Sequence, residues 1–126
     1  MILVLDASAA AEVLIGSQRG RAAADLIADA DLYAPQHLAV EVMSVLRGWV
    51  LGSEITAERA RTALIHLEQL DIHWMDVPPL LDAAWTLRNS ISAYDAVYVA
   101  LAEALDCRVV TFDRRLARAS SRCIVP

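Results

Sequence analysis

Apolar positions along this chain follow two periods. Short, mostly apolar stretches at Ile2–Leu5, Leu32–Ala34, Ile72–Val77 and Arg108–Phe112 read as strands, the first and last of them as buried parallel ones. Between them, apolar residues recur every three or four positions, as one face of a helix requires. This spacing predicts an alanine-rich helix after Asp6, running to about Ile15, and further helices at about Arg21–Ala28, His37–Leu51 and Ala57–Gln69. Gly16 and Gly20 are expected to bracket a loop, Gly52 to end a helix and Thr56 to cap the next. Pro79 suits the first turn of a helix reaching about Arg88. Val97, Leu101 and Leu105 repeat at i, i+4 and i+8 in a further helix, with Tyr94, Tyr98 and Ala102 alongside. Arg114–Ala119 can form a short helix and Ile124–Val125 a terminal edge strand.

Strands alternating with helices imply right-handed crossovers and a mostly parallel sheet covered on both faces, an α/β fold. A helix that follows a strand begins at that strand's C-terminal edge, where open α/β sheets bind ligands. Asp6, Glu41 and Asp113 each follow a strand or lie in the first turns of the next helix. Asp95 lies near the first turn of a helix antiparallel to the strands and joins the same rim. Four carboxylates from distant positions are therefore expected together. Each also has a plainer explanation. Asp6 and Asp113 suit helix caps, Ser92-x-x-Asp95 matches a capping box, and Glu41 stands at the margin of an apolar stripe formed by Leu38, Val42, Val45, Leu46 and Trp49.

Composition narrows the classes. The 126 residues suffice for one domain with a proper core, and 57% of them are hydrophobic. No apolar run reaches the roughly 18 residues of a membrane span, and the first residues do not read as a signal peptide. Cys107 and Cys123 match no metal-ligand spacing and read as two buried thiols of a cytoplasmic protein. The net charge of −5 argues against binding nucleic acid by bulk electrostatics. Arg108, Arg114, Arg115, Arg118 and Arg122 nevertheless crowd the C-terminal part, which holds Asp113 as its acid. Lysine is absent, which excludes a phosphate-loop NTPase and a Schiff-base enzyme. The scattered residues His37, His66 and His73 read as ordinary surface or half-buried side chains, and Trp74 and Trp85 as core.

Clustered acids repel unless a cation sits among them, and oxygen-only ligands favour Mg²⁺ or Mn²⁺ over zinc. A hard cation beside arginines points to a metal-dependent phosphodiesterase. A non-catalytic binding module whose acids are caps is the alternative.

Val4-Leu-Asp-Ala-Ser8, the helical Glu41, Tyr94-Asp-Ala96 and Val110-Thr-Phe-Asp113, in this order and spacing, resemble the PIN domain, and in particular the VapC toxin ribonucleases of bacterial toxin–antitoxin pairs. The resemblance implies a single PIN-like domain over residues 1–126, a three-layer α/β/α fold, and an endoribonuclease using Mg²⁺ or Mn²⁺. It maps Asp6, Glu41, Asp95 and Asp113 onto the catalytic, metal-binding quartet, and Ser8 and Thr111 onto hydroxyl positions beside it. Ser8, Thr111, Arg114 and Arg115 are expected at the substrate. A cognate antitoxin and a homodimer are the implied partners. A receiver domain, another α/β fold with an acidic pocket, needs a lysine that this chain lacks.

Overall fold

Strands β1 (Ile2–Leu5), β2 (Asp31–Pro35), β3 (Ile72–Met75), β4 (Arg108–Val110) and β5 (Cys123–Ile124) form one sheet in the order β3-β2-β1-β4-β5. These assignments come from a computed structural model describing residues 1–126. Every neighbouring pair is parallel, with Val4 opposite Tyr33 on one side and Val109 on the other. β1 is central, and its Leu3, Val4 and Leu5 are buried with Val109 and Val110. This is the all-parallel limit of the expected sheet.

Helices α1 (Ala7–Ile15), α2 (Gln18–Ile27), α3 (Leu38–Leu51), α4 (Ala57–Gln69), α5 (Leu81–Trp85), α6 (Ala93–Leu105) and α7 (Arg114–Ala119) flank the sheet, with a 3₁₀ turn at Pro78–Leu80 before α5. α1 packs on α2, α3 and α4, whereas α6 lies against β1, β2 and β4 and carries α5. Every residue from Ala96 to Ala102 is buried, which explains why that helix is apolar almost all round.

Several boundaries differ from expectation for identifiable reasons. Gly20 lies inside α2, not in a loop, because Ser17 caps that helix by accepting the Gly20 N–H at 3.0 Å. A Cβ on Gly20 would stand 1.9 Å from the Glu12 carbonyl oxygen, so the missing side chain lets α2 approach α1. Gly16 does end α1, in the left-handed conformation with φ 73°. Thr111 N–H still reaches Ile124 O on β5, but β4 goes no further because the Phe112 N–H turns away to Ser8 Oγ. α5 ends at Trp85 rather than Arg88, where the Thr86 hydroxyl donates to Ala83 O at 2.6 Å and a series of turns follows.

Two tryptophans expected in the core are outside it. Trp85 is 67% exposed with the Arg88 guanidinium over its ring, and Trp74 lies exposed on edge strand β3. Cys107 is buried, but Cys123 on the other edge strand is only half-buried. No helix is long and apolar enough to cross a membrane.

Candidate active site

The chain runs outward from β1 to β2 and β3, then returns to lay β4 on the opposite side of β1. Between β1 and β4 the direction of winding reverses, and there the C-terminal edge opens into a crevice. Asp6 N–H donates to Val110 O, so the pairing of β1 with β4 persists up to the first acid. Asp113 follows β4 three residues after Val110.

Asp6, Glu41, Asp95 and Asp113 line one cleft of about 480 Å³, together with Ser8, Ser44, Tyr94 and Tyr98. A larger apolar hollow of about 1020 Å³ adjoins it at Tyr94, but none of the four acids faces it. The smaller cleft is therefore the candidate site.

Asp6 is 4% exposed. Its Oδ1 accepts the Ala9 N–H at 3.0 Å and the Ser8 hydroxyl at 2.7 Å. Burial lifts its pKa from 3.8 to about 6, against the opposing pull of hydrogen bonds from Thr111, Ala9 and Ser8. Asp113 caps α7, its Oδ1 accepting the N–H groups of Arg115 and Leu116 at 2.9 and 3.2 Å. Glu41 accepts the Tyr98 hydroxyl on Oε1 at 2.6 Å. Asp95 is half-buried, and burial, followed by the charges of Asp113 and Glu41, raises its pKa, while a hydrogen bond with the Ser92 side chain and then the charge of Arg115 oppose the rise. The charges of Asp113 and Glu41 thus bear on Asp95, and Asp6 feels Asp95 in turn.

The cap explanation holds for half of them. Asp6 and Asp113 do cap helices, and each uses only Oδ1 to do so. Glu41 caps nothing, and α3 begins at His37 without a side-chain cap bond. At α6 the capping box is half made: Ser92 Oγ accepts the Asp95 N–H at 3.2 Å, but the Asp95 carboxylate does not reach back to the Ser92 amide.

Ser8 and Thr111 serve as braces. Ser8 Oγ ties Asp6 to the Phe112 amide and lies 3.3 Å from Thr111 Oγ1, which accepts the Asp113 N–H at 2.9 Å. Thr111 is fully buried, so it holds the two aspartates from behind instead of touching a substrate. Arg114 and Arg115 are exposed at the start of α7, and Arg115 lies close enough to act on Asp95.

Two side chains that sequence reasoning passed over belong here. Tyr98 is 1% exposed, and burial together with its bond to Glu41 pushes its pKa far upward, so it stays a phenol and a donor. His37, read as ordinary, places Nε2 3.0 Å from Tyr94 O and 3.3 Å from Glu41 Oε1. The signal for His37 was its position four residues before Glu41, one helical turn away.

The donors suit a hard cation: all are carboxylate or hydroxyl oxygens, and no lysine neutralises them. As the side chains stand, no three of them converge into a closed ligand set. Mg²⁺ does not need one, since it keeps several waters and binds through one or two carboxylates. Asp6, Glu41, Asp95 and Asp113 are the residues that would hold it.

Residues 3–121 match the PIN domain family. Ribonuclease VapC1 of Mycobacterium tuberculosis is 42% identical over 120 residues, covering 92% of this chain and 89% of the relative. The chain belongs to the PIN-domain family, as a ribonuclease toxin of the VapC type. Solved structures agree in fold. PAE2754 of Pyrobaculum aerophilum superposes with a TM-score of 0.74 at 19% identity, covering 98% of this chain and 83% of that one. M. tuberculosis VapC20, described as a toxin that cleaves the sarcin–ricin loop, gives 0.70 at 20% identity, covering 94% and 95%. In this PIN domain the four motifs read from the sequence all fall at the crevice between β1 and β4 or on its walls.

Proposed function

We propose that the protein is a Mg²⁺- or Mn²⁺-dependent endoribonuclease that cuts RNA at the cleft of Asp6, Glu41, Asp95 and Asp113, leaving a 3′-hydroxyl and a 5′-phosphate. The observation that carries this reading is that Glu41 and Asp95 crowd other acids in one crevice without serving as caps. Like charges brought together at a cost to stability need a reason beyond folding. A bound divalent cation supplies a Lewis acid for the phosphate oxygen and makes the attacking water more acidic. The chain's own residues prepare for it. Ser8 and Thr111 fix the two aspartates that follow β1 and β4, so both carboxylates present their second oxygen from a rigid edge. Glu41 and Asp95 bring negative charge from α3 and α6, where either can accept a proton from the attacking water. Arg115, and Arg114 beside it, provide positive charge at the rim for the RNA phosphates, which the acids would otherwise repel.

The acidic body of the molecule suits a basic antitoxin arm, the partner expected for a VapC-type toxin, and we place both proteins with their RNA in the cytoplasm, the toxin as a homodimer. The competing reading, a binding module with capped helices, draws on the two real caps at Asp6 and Asp113. Total RNA incubated with the protein in Mg²⁺ or EDTA, with new 5′ ends mapped, separates the two. Cuts that require Mg²⁺ and vanish in Glu41→Gln, a variant that removes no cap, are the expected result. Intact RNA in both buffers would leave the binding module standing.

A further inference from the structure

Glu41 reaches the cleft from α3 on a flexible side chain, yet one of its oxygens is held from two sides. Tyr98 Oη donates to Oε1 at 2.6 Å, and His37 Nε2 lies 3.3 Å from the same atom. A carbonyl oxygen can only accept, so the 3.0 Å bond to Tyr94 O requires that Nε2 of His37 carry its hydrogen. Glu41 Oε1 lies 3.3 Å from the same nitrogen, a close polar contact and not a second hydrogen bond. The imidazole and the phenol also brace one another, with ring centroids 4.7 Å apart. Nδ1 of His37 is buried without a partner, so the ring's hydrogen bonding rests on Nε2 alone. The phenol is nearly inaccessible, which rules out a direct encounter with RNA.

We infer that Tyr98 and His37 are positioning residues for Glu41: they pin Oε1 and thereby aim Oε2 at the metal and its water. The pair ties α3 to α6 across the crevice, through contacts 57 residues apart in sequence. A carboxylate without these donors would sample many rotamers and be repelled by Asp95. Held in place, it enters the cleft already oriented. Partners of this kind typically change metal affinity or activity by about 10–100-fold when removed.

This inference rests on the acid cleft being the metal site, and its test separates the two. Tyr98→Phe keeps the ring and deletes the donor. Titration of wild type, Tyr98→Phe, His37→Gln and Glu41→Gln with Mn²⁺ alone, followed by calorimetry, gives affinities without any turnover. Melting in EDTA and steady-state cleavage of one labelled RNA complete the set. The expected result for Tyr98→Phe is Mn²⁺ affinity reduced about 10–100-fold, with kcat falling alongside it and KM for RNA unchanged. His37→Gln should fall between it and wild type. Weakening by Glu41→Gln but not by Tyr98→Phe overturns the positioning role alone. Unaltered Mn²⁺ binding in Glu41→Gln as well overturns the metal reading of Glu41 and the inference with it. A Tyr98→Phe protein that loses only melting temperature, with affinity and kcat intact, shows the hydroxyl to be structural.

Discussion

Asp6 illustrates how one carboxylate can be both structural and costly. Its folded pKa of about 6 stands above the ordinary 3.8, chiefly through burial, so the native state prefers the protonated form. The associated stability is fully present below about pH 4 and is lost as pH rises through about 6, a change on the order of 3 kcal/mol. In EDTA, wild type should therefore lose stability relative to Asp6→Asn between pH 4 and 6 and stay lower above it. Asparagine keeps the cap, so α1 is not the cause of any difference. Saturating Mn²⁺ should restore wild type and not the variant. Urea melts across this range check the sign, and parallel curves for the two proteins would refute it. Asp95 makes a second forecast. Since burial, Asp113 and Glu41 all disfavour its charge, Asp95→Asn in EDTA should be no less stable than wild type, while cleavage in Mg²⁺ falls by orders of magnitude. Ser92→Ala, which deletes the cap made to the Asp95 amide, should cost about 1 kcal/mol and keep turnover. An Asp95→Asn protein that melts early yet cleaves normally would return the residue to the cap.

Among the elements, the contact of α1 with α2 and the long helix α3 use glycine for opposite reasons. Gly20 lies where α2 meets the Glu12 carbonyl, and any Cβ there must push the helices apart. Gly48 sits in exposed mid-α3 with nothing near its would-be Cβ. Alanine favours a helix interior over glycine by about 1 kcal/mol. Gly48→Ala should therefore stabilise by up to about that much, whereas Gly20→Ala should destabilise by about 1–3 kcal/mol despite the same gain. Denaturant midpoints of the two variants decide the matter, and equal shifts would mean that α2 can move aside freely. Because Asp6 caps α1 and Ser8 lies in its first turn, a displaced α1 should also cost cleavage in Gly20→Ala but not in Gly48→Ala.

At the scale of the whole molecule, the charge of −5 opposes RNA, and the arginines near Asp113 must offset it locally. Replacing Arg114 and Arg115 together with Gln should raise KM for RNA and flatten its salt dependence. Both are exposed, so stability should stay within about 0.5 kcal/mol of wild type. A lower melting temperature with unchanged salt dependence would instead make them part of the fold.

The strand–helix alternation, the run of strands and the four acids are legible in the sequence because they rest on local periodicity and on motifs with fixed spacing. α4 begins and ends where Thr56 and the apolar period predict, and α7 likewise follows Asp113. What neighbours in space decide is not written locally. Gly20 looks like a loop residue until α1 is packed against it. Trp85 looks like core until α5 proves too short to bury it. His37 and Tyr98 gain their significance only when α3 and α6 meet across the crevice. The sequence also leaves each acid divided between cap and ligand. Tertiary structure separates the roles, because a cap is satisfied by its own helix, whereas Glu41 and Asp95 meet the other acids only when α3 and α6 are brought together at the crevice.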